Sequence, residues 1–199
     1  MRFYCTDDTV DLEQYPYHVR DVHISDPFIL ADPKSRCYYT YVQFADTKRF
    51  PDVETDKEHG VFYVLESKDL IHWSKPQICF RHYWAPEVHI WKGRYYLFSS
   101  FRADGHYRKC QCLVSDSPKG PFEPIRQEAV TPDGWQSLDG TLYVDRSGKP
   151  WMVFCHEWLQ VGDGQICAVP MSDDLGEAIG DHVILFRASN GKWNAKGAK

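Results

Sequence analysis

Long hydrophobic runs, an excess of basic charge and Cys-x-x-Cys pairs are all missing from this sequence. Without a run of about 18 apolar residues, no helical membrane span is expected. Lys and Arg number 23 against 28 Asp and Glu, a net charge of -5. That balance argues against a nucleic-acid partner, which calls for a basic stripe. The opening Met1-Arg2-Phe3-Tyr4-Cys5-Thr6-Asp7-Asp8 lacks the apolar core of a secretion signal. A cytoplasmic product is therefore expected, or an extracellular or periplasmic one from a trimmed N-terminus. The seven cysteines are an odd number without metal-type spacing. Cys110 and Cys112 share a face if they lie on a strand, but a closed metal site needs four convergent ligands. Reduced cysteines serving as small core hydrophobes are the simpler reading. Neither a metal nor a cofactor is expected.

Helical periodicity is also missing, because apolar positions alternate almost throughout. Aromatic residues are plentiful at 15%, including seven Trp and twelve Tyr, and large rings suit half-buried pleated strands. A unit recurs three times. Ser25-Asp26-Pro27-Phe28-Ile29-Leu30 leads into Cys37-Tyr38-Tyr39-Thr40-Tyr41. Ala85-Pro86-Glu87-Val88-His89-Ile90 leads into Arg94-Tyr95-Tyr96-Leu97-Phe98. Ser137-Leu138-Asp139-Gly140-Thr141 leads into Pro150-Trp151-Met152-Val153-Phe154. A third strand then ends at Ser67, Ser115 or Ser172, and Asp, Pro or Gly turns the chain toward an edge strand.

Four antiparallel strands in a repeat of roughly 50–60 residues predict the blades of an all-β propeller. The expected blades are 21–80, 83–130 and 134–186, within one partial domain spanning 1–199. Residues 51–60 read as a solvated loop, and 187–199 as the start of a next blade. Propellers have roughly four to eight blades, so three and a stub predict a truncated chain. Its third blade is then expected to leave an apolar face uncovered, which predicts self-association.

The head of each unit carries a carboxylate: Asp26, Glu87 and Asp139, at intervals of 61 and 52 residues. Such a repeat can gather distant carboxylates near one mouth of a channel. Inverting glycoside hydrolysis needs two carboxyl groups about 6.5–9.5 Å apart, one activating water and one protonating the leaving oxygen. A third can raise the acid's pKa by like-charge repulsion. Asp before Pro is equally a plain turn former, so spacing leaves Asp26 open between the two. His89 shares a strand face with Glu87 and is either a substrate contact or a packed histidine. Glu157 reads as a loop or rim contact rather than a proton donor, and His156 as a packed histidine rather than a sugar contact. Trp73, Trp151 and Trp193 read as inter-blade core. Trp84, at a blade opening, could cover the apolar face of a sugar.

Asp26-Pro27-Phe28, Trp84-Ala85-Pro86-Glu87-Val88-His89 and Ser137-Leu138-Asp139 together resemble the successive blade openings of glycoside hydrolase family 43. The resemblance runs from about residue 20 to the end of the chain. Related propellers acting on fructosides share the Asp-Pro opening. The resemblance implies a five-bladed propeller that cleaves arabinosides and xylosides with inversion. It implies that Asp26 is the general base, that Asp139 tunes and orients the acid, and that Trp84, Glu87 and His89 bind substrate. The family's general acid, a Glu opening the fourth blade, has no counterpart in this chain, so the chain itself is expected to be inactive. An arabino- or xylo-oligosaccharide is the implied partner. A non-catalytic carbohydrate-binding or interaction propeller is the alternative.

Overall fold

The computed structural model describes residues 10–22, 24–44, 61–81, 84–102 and 105–191. The predicted loop 51–60 lies outside them, as do Trp193 and most of the predicted next-blade start. The chain divides into two compact units, one of Met1–Tyr95 with Ser115–Phe122, the other of Tyr96–Val114 with Glu123–Lys199.

Three antiparallel sheets make up the fold. The first contains β1 (Tyr17–His18), β2 (Ile24–Asp32), β3 (Cys37–Phe44), β4 (Val61–Ser67), β5 (His72–Trp73) and β6 (Gln77–Arg81), in the order β1-β5-β4-β3-β2 with β6 also on β4. This sheet departs from a plain four-strand meander. The outer edge of β4 is shared by two short strands, and Pro76, without an N–H to donate, sits in the break between them. The second sheet contains β7 (Trp84–Trp91), β8 (Arg94–Phe101), β9 (Lys109–Ser115) and β10 (Glu123–Pro124), ordered β10-β9-β8-β7. The third runs β11 (Ser137–Val144), β12 (Pro150–His156), β13 (Gln165–Pro170), β14 (Val183–Arg187) in chain order, with a short helix α1 (Trp158–Val161) between β12 and β13.

Local chemistry explains the turns. Asp32 closes the β2–β3 hairpin by accepting from the N–H groups of Lys34 (3.0 Å) and Ser35 (3.2 Å) and from Ser35 Oγ (2.7 Å). Burial works against its charge, but these bonds and one from Tyr95 Oη keep its pKa below the ordinary value. In the β7–β8 hairpin both Lys92 (φ 49°) and Gly93 (φ 83°) are left-handed, the geometry that matches strand twist. The turn after the third strand recurs in sheets one and three: Ser67 and Ser172 begin it, and Leu70 (φ 65°) and Leu175 (φ 60°) are left-handed within it.

Central strands carry the core. All seven residues of β4 are buried, and β12 alternates, burying Pro150, Met152, Phe154 and His156. In the first unit Phe62 stacks on Phe80 at 4.6 Å, and Phe122 meets Phe80 and Tyr41 edge-on. Tyr41 Oη donates to Pro118 O at 2.7 Å, which fastens the 115–122 segment to that core. Of the six described cysteines, all unbridged, five are buried.

Candidate active site

Strands β2, β7 and β11 each carry a left-handed residue near their start: Asp26 (φ 47°), Ala85 (φ 48°) and Asp139 (φ 55°). The β2–β3 ladder slips between Ser25 and Phe28, and the β11–β12 ladder slips between Leu138 and Thr141. These are β-bulges, which kink a strand and re-aim a side chain. A left-handed residue other than Gly costs roughly 1–2 kcal/mol, less where Asp can bond locally. Strain of this kind collects at functional positions.

The bulge corrects the phase of the repeat. Asp26-Pro27, Ala85-Pro86 and Asp139-Gly140 are the equivalent pairs, at intervals of 59 and 54 residues. Glu87 stands two residues further on, in step with Phe28 and Thr141. The carboxylates alone put the second repeat two residues out of phase, whereas Pro27 and Pro86 mark the right phase. The second sheet therefore has a methyl group where the other two have a carboxylate.

In the first unit, β7 lies beside β2. Asp26 is solvent-exposed at the head of β2, and Trp84 is half-buried at the head of β7. Glu87 and His89 point to one face, as an i, i+2 pair on a strand must. His89 Nε2 lies 3.4 Å from Glu87 Oε1, with both side chains partly accessible. The His89 ring also meets the Phe28 ring, with centroids 5.7 Å apart. The face therefore offers an imidazole, a carboxylate and ring edges together, the mixture that recognises hydroxyl groups on an apolar frame.

In the second unit, Asp139 is exposed, and its N–H donates to Ser100 Oγ at 2.9 Å. Ser100 is buried at the end of β8 and fixes the backbone of the bulge. Gly140 follows for steric reasons, because a Cβ there would lie 3.2 Å from Cys110 Cβ and from Met152 Sδ. Cys155, across the ladder from Leu138, is pushed up to about 11 by burial, then by the negative charges of Glu157 and Asp139. Sequence spacing gave no sign of Ser100, a small polar residue in an apolar run whose partner is a distant backbone amide.

The chain entering β11 is clamped. Gln160 Oε1 accepts from Gln136 N–H at 2.7 Å, and Gln160 Nε2 donates to Gly134 O at 2.7 Å. Trp135 stacks on His156 at 3.8 Å, and His156 Nε2 lies 2.9 Å from Gln160 Oε1. His156 is buried, so it supports this loop instead of meeting solvent. Glu157 is the N-cap residue of α1, and its N–H donates to Gln136 O. Among the described residues no group of three His, Cys, Asp or Glu is placed to hold a metal ion.

Residues 18–198 match the family model of glycosyl hydrolases family 43. The chain belongs to this family. It is 32% identical over 149 residues to xylosidase/arabinosidase 43A of Humicola insolens, covering 72% of this chain and 39% of that protein. An endo-arabinase from Bacteroides thetaiotaomicron VPI-5482 superposes with a TM-score of 0.76 at 39% identity, covering 89% of this chain and 61% of that one. A thermostable family-43 glycoside hydrolase gives a TM-score of 0.68 at 25% identity, covering 85% and 55%. The family-43 chain thus spans less than two thirds of these relatives, and its sheets are propeller blades.

Proposed function

We propose that this family-43 chain serves the inverting hydrolysis of glycosidic bonds in arabinose- or xylose-containing oligosaccharides and polysaccharides. The observation that carries the reading is the left-handed bulge that holds Asp26 and Asp139 at corresponding strand heads in the first and third sheets. Asp26 is the general base. Its exposure supports the role, since it must reach a water on the face of the sugar opposite the leaving group. Asp139 is the carboxylate that raises the pKa of the acid through like charge, and the Ser100 hydroxyl holds its backbone in place. Trp84, Glu87 and His89 bind the sugar. The names of the relatives, a xylosidase/arabinosidase and an endo-arabinase, support the substrate class. α-L-Arabinofuranosides and β-D-xylosides are both in scope.

The proton donor in this reading is the glutamate that the family resemblance puts at the head of a fourth blade. Turnover is therefore assigned to a protein of the relatives' length, and sugar binding without turnover to these 199 residues. A nitrophenyl arabinoside and xyloside assay on the family-length protein tests it. Asp26→Asn should lower kcat by about 10²–10⁴-fold, the usual worth of a general base. Asp139→Asn should lower the acid's pKa and move the alkaline limb of kcat to lower pH. Full activity in Asp26→Asn would remove the base assignment.

We further propose that the chain self-associates, as an uncovered blade face would favour; the exposed edge strand β14 supports this reading. All five of its residues are exposed, Val183, Ile184, Leu185 and Phe186 among them, and an uncovered apolar edge invites pairing.

A further inference from the structure

A second recess lies in the unit that contains Asp139. It has a volume of about 440 Å³ and opens between the end of β8, the start of β9 and the 127–133 segment. That size falls within the roughly 300–1,000 Å³ of small-molecule clefts. Phe101, half-buried, and Tyr107, 53% exposed, supply ring surface. Gln127 and Glu128 supply exposed polar groups, and the ammonium of Lys109 pairs with the carboxylate of Asp133 across the opening.

The cleft is held open by its own backbone. Val130 N–H donates to Cys110 O at 3.0 Å, and Cys110 N–H donates to the buried Thr131 Oγ1 at 3.1 Å. Ser137 N–H donates to Arg108 O at 2.8 Å. These bonds tie the 127–133 wall to β9 and lead the chain into β11. Phe101 directly follows Ser100, whose hydroxyl receives the Asp139 N–H. One lining residue of the cleft is therefore next in the chain to the residue that holds the Asp139 backbone.

The chemistry selects a class of ligand. Exposed ring surface beside amide and carboxylate groups suits a pyranose or furanose, with an apolar C–H face and a polar edge. Lys109 is paired with Asp133, and Glu128 adds a negative charge beside the imidazole of His106, so the lining does not favour an anionic ligand. We propose that this cleft is an accessory subsite that holds neutral sugar residues of the substrate chain, away from the bond that is cleaved. The proposal rests on the family-43 reading for its choice of glycan.

Calorimetric titration of the 199-residue chain with linear arabino- and xylo-oligosaccharides, from monosaccharide to hexasaccharide, tests it. Affinity should rise with length. Tyr107→Ala should weaken hexasaccharide binding by up to about tenfold, the worth of one aromatic stack, with monosaccharide binding and the melting temperature unchanged. Asp133→Asn frees the Lys109 charge and should strengthen binding of a glucuronic-acid-bearing xylo-oligosaccharide several-fold over its neutral parent. Affinity independent of length, or a Tyr107→Ala variant that binds hexasaccharide like the parent, would overturn the subsite. Failure of the hydrolytic reading would appear elsewhere, as absent turnover in the family-length protein, and would leave length-dependent binding intact.

Discussion

At the scale of the residue, the decisive feature is a side chain in a backbone conformation that it does not favour. Asp26 and Asp139 occupy left-handed positions at exposed strand heads, and Ala85 occupies the same position with no polar group to compensate. Ala85→Gly should therefore raise stability by up to about 1 kcal/mol, since Gly reaches this region freely and loses little else. Denaturant unfolding measures it directly. Asp26→Gly separates fold from chemistry. Its melting temperature should stay level or rise, while turnover in the family-length protein falls as it does for Asp26→Asn. A large loss of stability in Asp26→Gly would mean that the carboxylate, not the backbone, shapes the bulge.

At the scale of the element, turns do most to fix the blades. Asp69 is an example. Burial opposes its charge, yet its pKa falls from 3.8 to about 2 because the carboxylate accepts from the His72 ring, from the N–H groups of His72 and Ile71 and from Ser67 Oγ. The pKa is depressed on folding, so the stabilisation is complete above about pH 4. It is lost as pH falls through about 2. Asp69→Ala should cost about 1–2 kcal/mol at neutral pH and flatten the acid limb of the stability profile between pH 4 and 2, as followed by denaturant melts. The sequence displayed this layer well. Aromatic alternation marked β3 and β8, and the Ser-Lys-Asp and Ser-Asp-Asp triplets marked the turns after third strands, although β13 itself ends at Pro170, two residues before Ser172. The phase of the bulge was harder to see. A left-handed residue leaves no trace in an alternation pattern, and a carboxylate two residues away, Glu87, attracted the alignment. The Tyr107 cleft was invisible for a different reason: it is assembled from loop backbone pinned to β9, with no periodicity to announce it.

At the scale of the whole molecule, two features govern behaviour. The edge strand β14 presents Ile184 and Phe186 to solvent, and the proposed self-association predicts concentration-dependent light scattering. Replacing Phe186 with Lys should reduce it, because edge charge blocks strand pairing. An unaltered association state would place the contact elsewhere. The second feature is the repeat itself. Asp26 and Asp139 hold corresponding left-handed places in different sheets, and the proposed function gives the two carboxylates different tasks, activating water and tuning an acid. The most direct test is the anomeric configuration of the first product, followed by NMR during hydrolysis of an arabinoside or xyloside by the family-length protein and its Asp26→Asn variant. Inverted product from the parent, and a rate lower by about 10²–10⁴-fold in the variant, is the expected result. Retained configuration, or an undiminished rate in Asp26→Asn, would contradict it.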